Sequence, residues 1–171
     1  MEEPRTLPLD AETKVAERPA DHETELRLWL RLLTCTTLIE SEIRRRLREE
    51  FDVTLPRFDL MAQLDKSPGG MTLGELSRRM MVSNGNVTGL AERLVAAGLL
   101  DRRASPSDRR AQLVSLTPEG RRGFRVMARA HESWIAEIFA DLNASDTDAL
   151  MRLLAKTKTS ARRATSGGPR S

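Results

Sequence analysis

The segment that decides the fold runs from Met71 to Gly120 and reads MTLGELSRRMMVSNGNVTGLAERLVAAGLLDRRASPSDRRAQLVSLTPEG. It begins with the pattern of a capped helix. Thr72 offers an N-cap oxygen, and Glu75 stands three positions later, where its carboxylate can reach back. Helical spacing then predicts an apolar side made of Leu73, Leu76, Met80 and Met81. We therefore expect a short helix directly after Met71.

A second helix and a hairpin follow in the same segment. The helix is predicted from Ser83, an N-cap candidate, to Ala97, next to the C-cap residue Gly98. Two strand-like runs, 99–103 and 111–116, enclose a polar tip at 104–110. In the second run we expect Leu113 to face inward, together with Ser115 or Leu116. Two helices followed by a basic hairpin form a winged helix-turn-helix, which suits the major groove of DNA and the neighbouring backbone or minor groove.

Parts of this segment carry a family resemblance. They are SNGNVTGLAERL at 83–94, AGLL at 97–100, and the wing pattern of Asp108, Arg110, Ala111, Leu116, Thr117 and Gly120. With them the chain resembles the MarR family of transcriptional regulators over roughly residues 25 to 163. The resemblance implies a mostly α fold with a small β wing, in which a winged helix-turn-helix is flanked by N- and C-terminal dimerisation helices. It also implies a homodimeric repressor that binds a palindromic operator in double-stranded DNA.

The charge distribution agrees with a nucleic-acid partner. The formal net charge is only +3, but residues 72–125 hold ten arginines against five acidic residues, whereas residues 1–25 hold eight acidic and three basic residues. A basic segment attracts phosphate, although a solvated, salt-bridged surface would have the same composition. With 171 residues and 39% hydrophobic residues, one domain is predicted, whose apolar helices need a partner subunit to cover them.

The rest of the chain is predicted to flank this segment. Residues 1–20 are acidic and contain three prolines, which indicates a flexible acidic arm. Residues 21–55 are predicted to form an N-terminal dimerisation helix that reaches Phe51 and has more than one apolar stripe. The winged helix-turn-helix region spans 56–116 and starts with a helix from Arg57 to about Lys66.

Two C-terminal dimerisation helices are predicted within residues 117–163. The first has Thr117 as its N-cap and runs to about Leu142, and the second opens at Ser145. Residues 164–171 are predicted to be a disordered tail.

The first turn of the second helix is expected to point into the major groove. Asn84, Asn86 and Thr88 are short polar residues that can pair with base edges, and Asn suits adenine. Ser83 is expected chiefly to cap the helix, with a phosphate contact added. Arg93 can contact a phosphate or pair with a neighbouring carboxylate.

Two glycines and the wing complete the expected DNA contacts. Gly85 and Gly89 each weaken a helix interior by about 1 kcal/mol and would let the backbone approach DNA closely. Many family members have a larger residue at the position of Gly89.

The resemblance implies that Arg110 of the wing enters the minor groove while Asp108 holds its guanidinium. The alternative is an ion pair that only stabilises the hairpin. Phosphate contacts are expected from Arg109 and from Arg78, Arg79, Arg102 and Arg103.

The resemblance also implies a small effector. The family usually responds to a small, often aromatic molecule, and residues 55–64 and 83–89 are similar to a subgroup that senses aromatic acyl-CoA thioesters. Trp29, Arg57, Phe58 and Met61 are the candidate effector-binding residues, with a plain core role as the alternative for Phe58 and Met61.

Enzyme chemistry is not indicated. His22 and His131 are far apart in sequence and lack companions at metal-ligand spacing, and no phosphate loop or nucleophile elbow is present, so no metal or cofactor is expected. The single cysteine, Cys35, and the lack of a signal or membrane-spanning pattern favour the reducing cytoplasm. We expect Cys35 in the core. An oxidant sensor acting through Cys35 and an unregulated architectural DNA-binding dimer are the alternative functions.

Overall fold

The computed structural model describes residues 23–104 and 112–166. The elements are α1 (Glu23–Phe51), α2 (Leu55–Asp65), β1 (Met71–Thr72), α3 (Leu73–Met80), α4 (Asn84–Ala96), β2 (Leu100–Ala104), β3 (Gln112–Leu116), α5 (Pro118–Ile138) and α6 (Ala144–Ser166). The predicted fold class, mostly α with a small β wing, is confirmed. None of the described helices is long and apolar enough to cross a membrane. The predicted acidic arm lies outside the described residues. The prediction of a disordered tail over residues 164–171 was wrong for residues 164–166, which belong to α6, and residues 167–171 lie outside the described residues.

The chain divides into two compact units, residues 1–131 and 132–171. In the first unit α2 lies in the middle, because it contacts α1, α3, α4 and β3. Its side chains Leu60, Met61 and Leu64 are almost completely buried. Burial of one such side chain stabilises a fold by about 1.5–3 kcal/mol, so α2 fixes the positions of the helices and the sheet around it.

The small sheet corrects one prediction. Its strand order is β1-β3-β2, with β3 central and both pairings antiparallel, and the two-residue β1 was not predicted. Met71 pairs with Val114 and Leu100 with Leu116, and all four are buried. Since directly opposed residues share one face of a sheet, this face covers the core. Leu116 therefore faces inward as expected, but its companion is Val114, and the expectation for Leu113 and Ser115 was wrong.

Several helix ends also differ from the predictions, and α5 ends at Ile138 rather than at about Leu142. Met81 does not belong to the apolar side of α3, because it is the C-cap residue, with φ of +55°, and its side chain is 92% exposed. The last helix begins at Ala144 rather than at Ser145. Asn143 caps it, since the Asp146 N–H donates to Asn143 Oδ1 at 3.0 Å and the Asn143 N–H donates to Asp146 Oδ2 at 3.3 Å.

Two long helices, α1 and α6, carry exposed apolar side chains. In α1, Ile43 and Leu47 are buried in the first unit, whereas five large apolar side chains nearer its N-terminus are 45–57% exposed: Leu26, Leu28, Trp29, Leu33 and Leu38. In the second unit α6 has no buried residue, and Leu150, Met151, Leu153 and Leu154 are 37–66% exposed. Cys35 is exposed on α1, so the expectation of a buried core cysteine was wrong for the chain by itself.

Candidate DNA-binding surface

The start of α3, the helix that precedes the predicted recognition helix α4, is held by the predicted capping box. The Glu75 N–H donates to Thr72 Oγ1 at 3.2 Å, and the Thr72 N–H donates to Glu75 Oε2 at 2.8 Å. The Thr72 hydroxyl also donates to Glu75 Oε2, at 2.9 Å, and the two bonds from the Thr72 N–H and hydroxyl keep the pKa of the Glu75 carboxyl below its ordinary value. Because the carboxylate sits at a helix N-terminus, it also interacts favourably with the helix dipole. The start of α3 is therefore fixed by local chemistry.

The turn between α3 and α4 is held by three hydrogen bonds around Ser77. The N–H groups of Met81 and Val82 both donate to the Ser77 carbonyl, the second at 3.2 Å, and Ser77 Oγ donates to the Val82 carbonyl at 2.6 Å. The left-handed conformation of Met81 allows the chain to reverse direction between the two helices. The turn is thus short and defined, as a helix-turn-helix requires.

The recognition helix α4 presents polar side chains from its first turn. Val87, Ala91 and Leu94 are buried and hold one side of α4 on the core, while Ser83, Asn84 and Asn86 are exposed. Ser83 is the N-cap, with its Oγ accepting from the Asn86 N–H at 3.4 Å, as predicted. The Asn84 and Asn86 amides are accessible, so both remain able to contact base edges.

The other two predicted contacts on α4 lie further along the helix. Thr88 is half-buried, and its hydroxyl donates to the Asn84 carbonyl at 2.8 Å, which leaves the oxygen as an acceptor. Arg93 is exposed in the last turn. An added Cβ at Gly85 or Gly89 would meet nothing within 4 Å, so packing inside the described chain does not require either glycine.

The base of the wing is well defined. Strands β2 and β3 pair along their full lengths, from Leu100 opposite Leu116 to Ala104 opposite Gln112. Arg102 and Arg103 are exposed on β2, and the Arg103 guanidinium donates to the Gly69 carbonyl at 2.5 Å, which ties the wing to the turn before β1. Asp108, Arg109 and Arg110 lie outside the described residues. Their predicted roles at the tip therefore stay predictions.

Helix α5 begins against the end of α4. Thr117 caps it as predicted, since Thr117 Oγ1 accepts from the Gly120 N–H at 2.9 Å and donates to the Gly98 carbonyl at 2.8 Å. An added Cβ at Gly120 would lie 2.0 Å from the Leu99 carbonyl oxygen, which shows how closely the two segments approach. Arg121 pairs with Asp65 of α2 at 2.8 Å. The recognition helix, the wing and α5 therefore form one connected framework.

The candidate effector residues have different environments. Phe58 is 6% and Met61 1% exposed, and the Phe58 ring packs against Phe124 and His131 with centroids 5.5 and 5.0 Å apart. Both side chains are buried, which agrees with the core role that was the alternative for them. Trp29 is 57% exposed on α1, and Arg57 is half-buried at the start of α2. Within the described ranges no group of three or more histidine, cysteine or acidic side chains is arranged to hold a metal ion.

An open pocket of about 340 Å³, called the cavity below, lies beside the recognition helix. Apolar side chains from α2, α3 and the turn form part of its wall, and α4 contributes both glycines, an amide and a guanidinium: Pro56, Met80, Val82, Gly85, Asn86, Gly89, Leu90 and Arg93. The sequence indicated Gly85 and Gly89 as unusual, but it did not indicate a cavity. This is the size of a small-molecule site, with apolar walls and one cation.

Comparisons with known proteins agree with this geometry. A sequence profile of the MarR family matches residues 51–111. The "Transcriptional activatory protein BadR" of Rhodopseudomonas palustris is 30% identical over 152 residues, which cover 85% of this chain and 86% of that protein.

Two solved structures show similar folds. A MarR family regulator from Silicibacter pomeroyi superposes with a TM-score of 0.71 at 29% identity, covering 84% of this chain and 99% of that one. A mutant MarR from E. coli complexed with operator DNA has a TM-score of 0.70 at 22% identity, covering 81% and 99%.

Proposed function

Because this chain belongs to the MarR family, a family of DNA-binding transcriptional regulators, we propose that it acts as a homodimer on a palindromic operator. Each subunit places the first turn of α4 in a major groove and its wing beside the neighbouring minor groove. The observation that supports this most directly is the recognition helix itself, which is buried along one side and exposes Asn84 and Asn86 in its first turn.

Each contact residue has a role in this proposal. Asn84, Asn86 and Thr88 contact base edges, since amides and hydroxyls match the donor and acceptor groups of the major groove. Ser83 caps α4, so that the free N–H groups of its first turn can meet a phosphate. Arg93 and the tip residue Arg109 contact phosphates. Arg110 enters the minor groove, where an Asp108 carboxylate orients its guanidinium.

The wing assignment is tested by removing its two charged partners separately. Arg110→Ala is expected to weaken operator binding by at least about 1 kcal/mol, because a specific contact is lost. Asp108→Ala is expected to weaken it too, since a freed Arg110 side chain must be ordered on binding. Gel-shift titrations at fixed salt on an operator selected from random duplexes measure both effects. Arg152→Ala is the control, because it removes one positive charge from α6, outside the candidate DNA-binding surface. It should bind the operator as tightly as the wild type. Wild-type affinity in both wing variants would refute the assignment.

The exposed apolar side chains support the dimer. Five apolar side chains of α1 and four of α6 are at least 37% exposed in the chain by itself, which is more than scattered surface residues explain. In α6, Leu150, Leu153 and Leu154 recur at helical spacing, so they form one stripe. A second copy of the same chain would cover such stripes symmetrically.

We expect a dimer in sedimentation experiments at micromolar concentration, protecting two half-sites about 10 base pairs apart, one helical turn of DNA. Leu153→Glu should shift the equilibrium towards monomer, because it places a charge in the apolar stripe. Ala155→Glu is the matched control, since it stands about 160° away around the same helix and should leave the dimer intact. A wild-type protein that sediments as a monomer would disprove the dimer proposal.

We further propose that a small aromatic acid, or the acyl part of an aromatic acyl-CoA thioester, binds in the cavity beside α4. The Arg93 guanidinium would pair with its carboxylate or thioester oxygen, and Pro56, Met80 and Leu90 would contact its ring. This location supports regulation because a ligand that touches α4 favours one position of the recognition helix. Trp29 and Arg57 stay as candidates for a second part of the effector site, closer to α1.

We propose that the effector releases a repressor from its operator. The similar protein BadR is named a transcriptional activatory protein, which favours activation as the second possibility. A reporter gene placed behind the selected operator separates the two. Deletion of this regulator raises the basal expression of a repressed gene, whereas it abolishes the induced expression of an activated gene.

A further inference from the structure

Two described residues other than glycine have a clearly positive φ, Asp52 at +52° and Met81 at +55°. In this left-handed region the Cβ atom crowds the neighbouring carbonyl, so most side chains avoid it. Asp tolerates the region because its short polar side chain can bond to the local backbone, whereas Met has no such advantage. Glycine would adopt the conformation of Met81 without that crowding. The side chain at position 81 therefore needs another explanation.

Packing inside the described chain does not supply one. The Met81 side chain is 92% exposed, the highest value among the exposed large apolar residues of the described chain. Its backbone is nevertheless well held, because its N–H bonds to the Ser77 carbonyl and the next residue is joined to Ser77 twice. A fixed backbone thus presents a large apolar side chain to the outside.

Met81 lies next to the residues that we propose to contact DNA. It stands between the exposed Arg78 and Arg79 at the end of α3 and the N-cap Ser83 of the recognition helix. When α4 enters a major groove, this turn lies at the edge of the groove, between the phosphates and the base edges. The apolar groups of DNA at such a place are the thymine C5-methyl groups and the deoxyribose carbons.

We propose that Met81 is a DNA-contacting residue whose thioether side chain packs on the apolar carbons of the operator, either a thymine methyl group or a deoxyribose. This inference rests on the proposed docking of α4 in the major groove. A flexible, polarisable thioether suits such a contact, because it adapts to an irregular apolar surface. The contact explains why a methionine stands where the backbone alone favours glycine.

Met81→Gly and Met81→Asn test the proposal, because both residues accept the left-handed backbone. Each variant should unfold at a temperature equal to or above that of the wild type, yet bind the selected operator at least about threefold more weakly, since an apolar contact is lost. Asp52→Gly is the matched control at the other left-handed residue. It should keep both its thermal midpoint and its operator affinity.

The operator itself distinguishes the two apolar groups. Thymines are replaced one at a time by deoxyuridine, which lacks the methyl group. If one replacement weakens the wild type but not Met81→Gly, the contact is to that methyl group. If both Met81 variants bind weakly and no thymine discriminates, the contact is to deoxyribose. If both variants bind as tightly as the wild type, the Met81 proposal is overturned, whereas a wild type that selects no duplex overturns the proposed docking as well.

Discussion

A Gly120→Ala variant is expected to lose about 3 kcal/mol or more of its free energy of unfolding, which is at or above the upper end of the usual range for single substitutions. The new Cβ atom would lie 2.0 Å from the Leu99 carbonyl oxygen and 2.9 Å from its carbon. Both are backbone atoms, so no side-chain rotation can relieve the clash. The same Leu99 carbonyl accepts a hydrogen bond from the Thr117 N–H, and moving it would disturb the junction between α4, β2 and α5.

Gly123→Ala is the matched control for this prediction. It lies about one turn later in α5, and its added Cβ would meet nothing within 4 Å. Replacing a glycine inside a helix should therefore raise the free energy of unfolding by about 0.5–1 kcal/mol. Denaturant unfolding followed by circular dichroism at one fixed protein concentration compares the three proteins. Equal stability of Gly120→Ala and the wild type would show that the close approach at Leu99 is not rigid.

Helix starts were largely predictable, because capping is local chemistry. Thr72, Ser83 and Thr117 each accept a bond from an N–H within three residues, and that short range can be read from the sequence. The start of the last helix was less determined. Asn143 and Ser145 both suit an N-cap, and an aspartate stands three positions after each. The structure uses Asn143, which extends α6 by one residue beyond the predicted start.

Which face of β3 points inward depends on residues distant in sequence. This explains why Leu113, rather than Val114, was predicted to face the core. The run QLVSL places an apolar residue on either face, so alternation alone could not choose between Leu113 and Val114. The choice depends on β1 and β2, whose Met71 and Leu100 are opposite Val114 and Leu116. A two-residue strand such as β1 has too short a pattern to be recognised before its partner is known.

The candidate DNA-binding surface was more predictable than the candidate effector site. Residues of the recognition helix follow one another in sequence, so helical periodicity already places Val87 and Leu94 on one buried side and Asn86 outside it. The cavity combines the beginning of α2, the end of α3 and α4, and no local pattern brings these together. Phe58 and Met61 were candidates for an effector site because they are apolar and near Pro56. That chemistry fits a core equally well, and the structure buries both.

An aromatic carboxylate that occupies the cavity beside α4 is expected to weaken operator binding by about 5- to 150-fold, the usual range of allosteric coupling. The ligand shifts DNA binding only if it prefers the DNA-free arrangement of α4, and DNA must then weaken ligand binding by the same factor. Calorimetry with a panel of aromatic acids and their CoA thioesters, with and without operator, measures both sides of this cycle. Trp29 gives a second readout, because a ligand bound near α1 should change its fluorescence while one confined to the cavity should not.

Arg93→Gln and Gly89→Leu test where that ligand binds. The first removes the cation of the cavity and the second fills its space. In both variants the ratio of operator affinities measured with and without effector should therefore be close to one. The ratio with and without effector is decisive, because Arg93 is also a candidate phosphate contact and its loss lowers affinity in both conditions. Arg102→Gln, an exposed arginine outside the cavity lining, should keep the full ratio. Unchanged ratios in both cavity variants would show that the effector binds elsewhere, with Trp29 and Arg57 as the next candidates.

Peroxide should not release the protein from DNA. Release by peroxide that Cys35→Ser abolishes, with no response to any aromatic acid, would instead establish an oxidant sensor, for which the exposed position of Cys35 on α1 is suited.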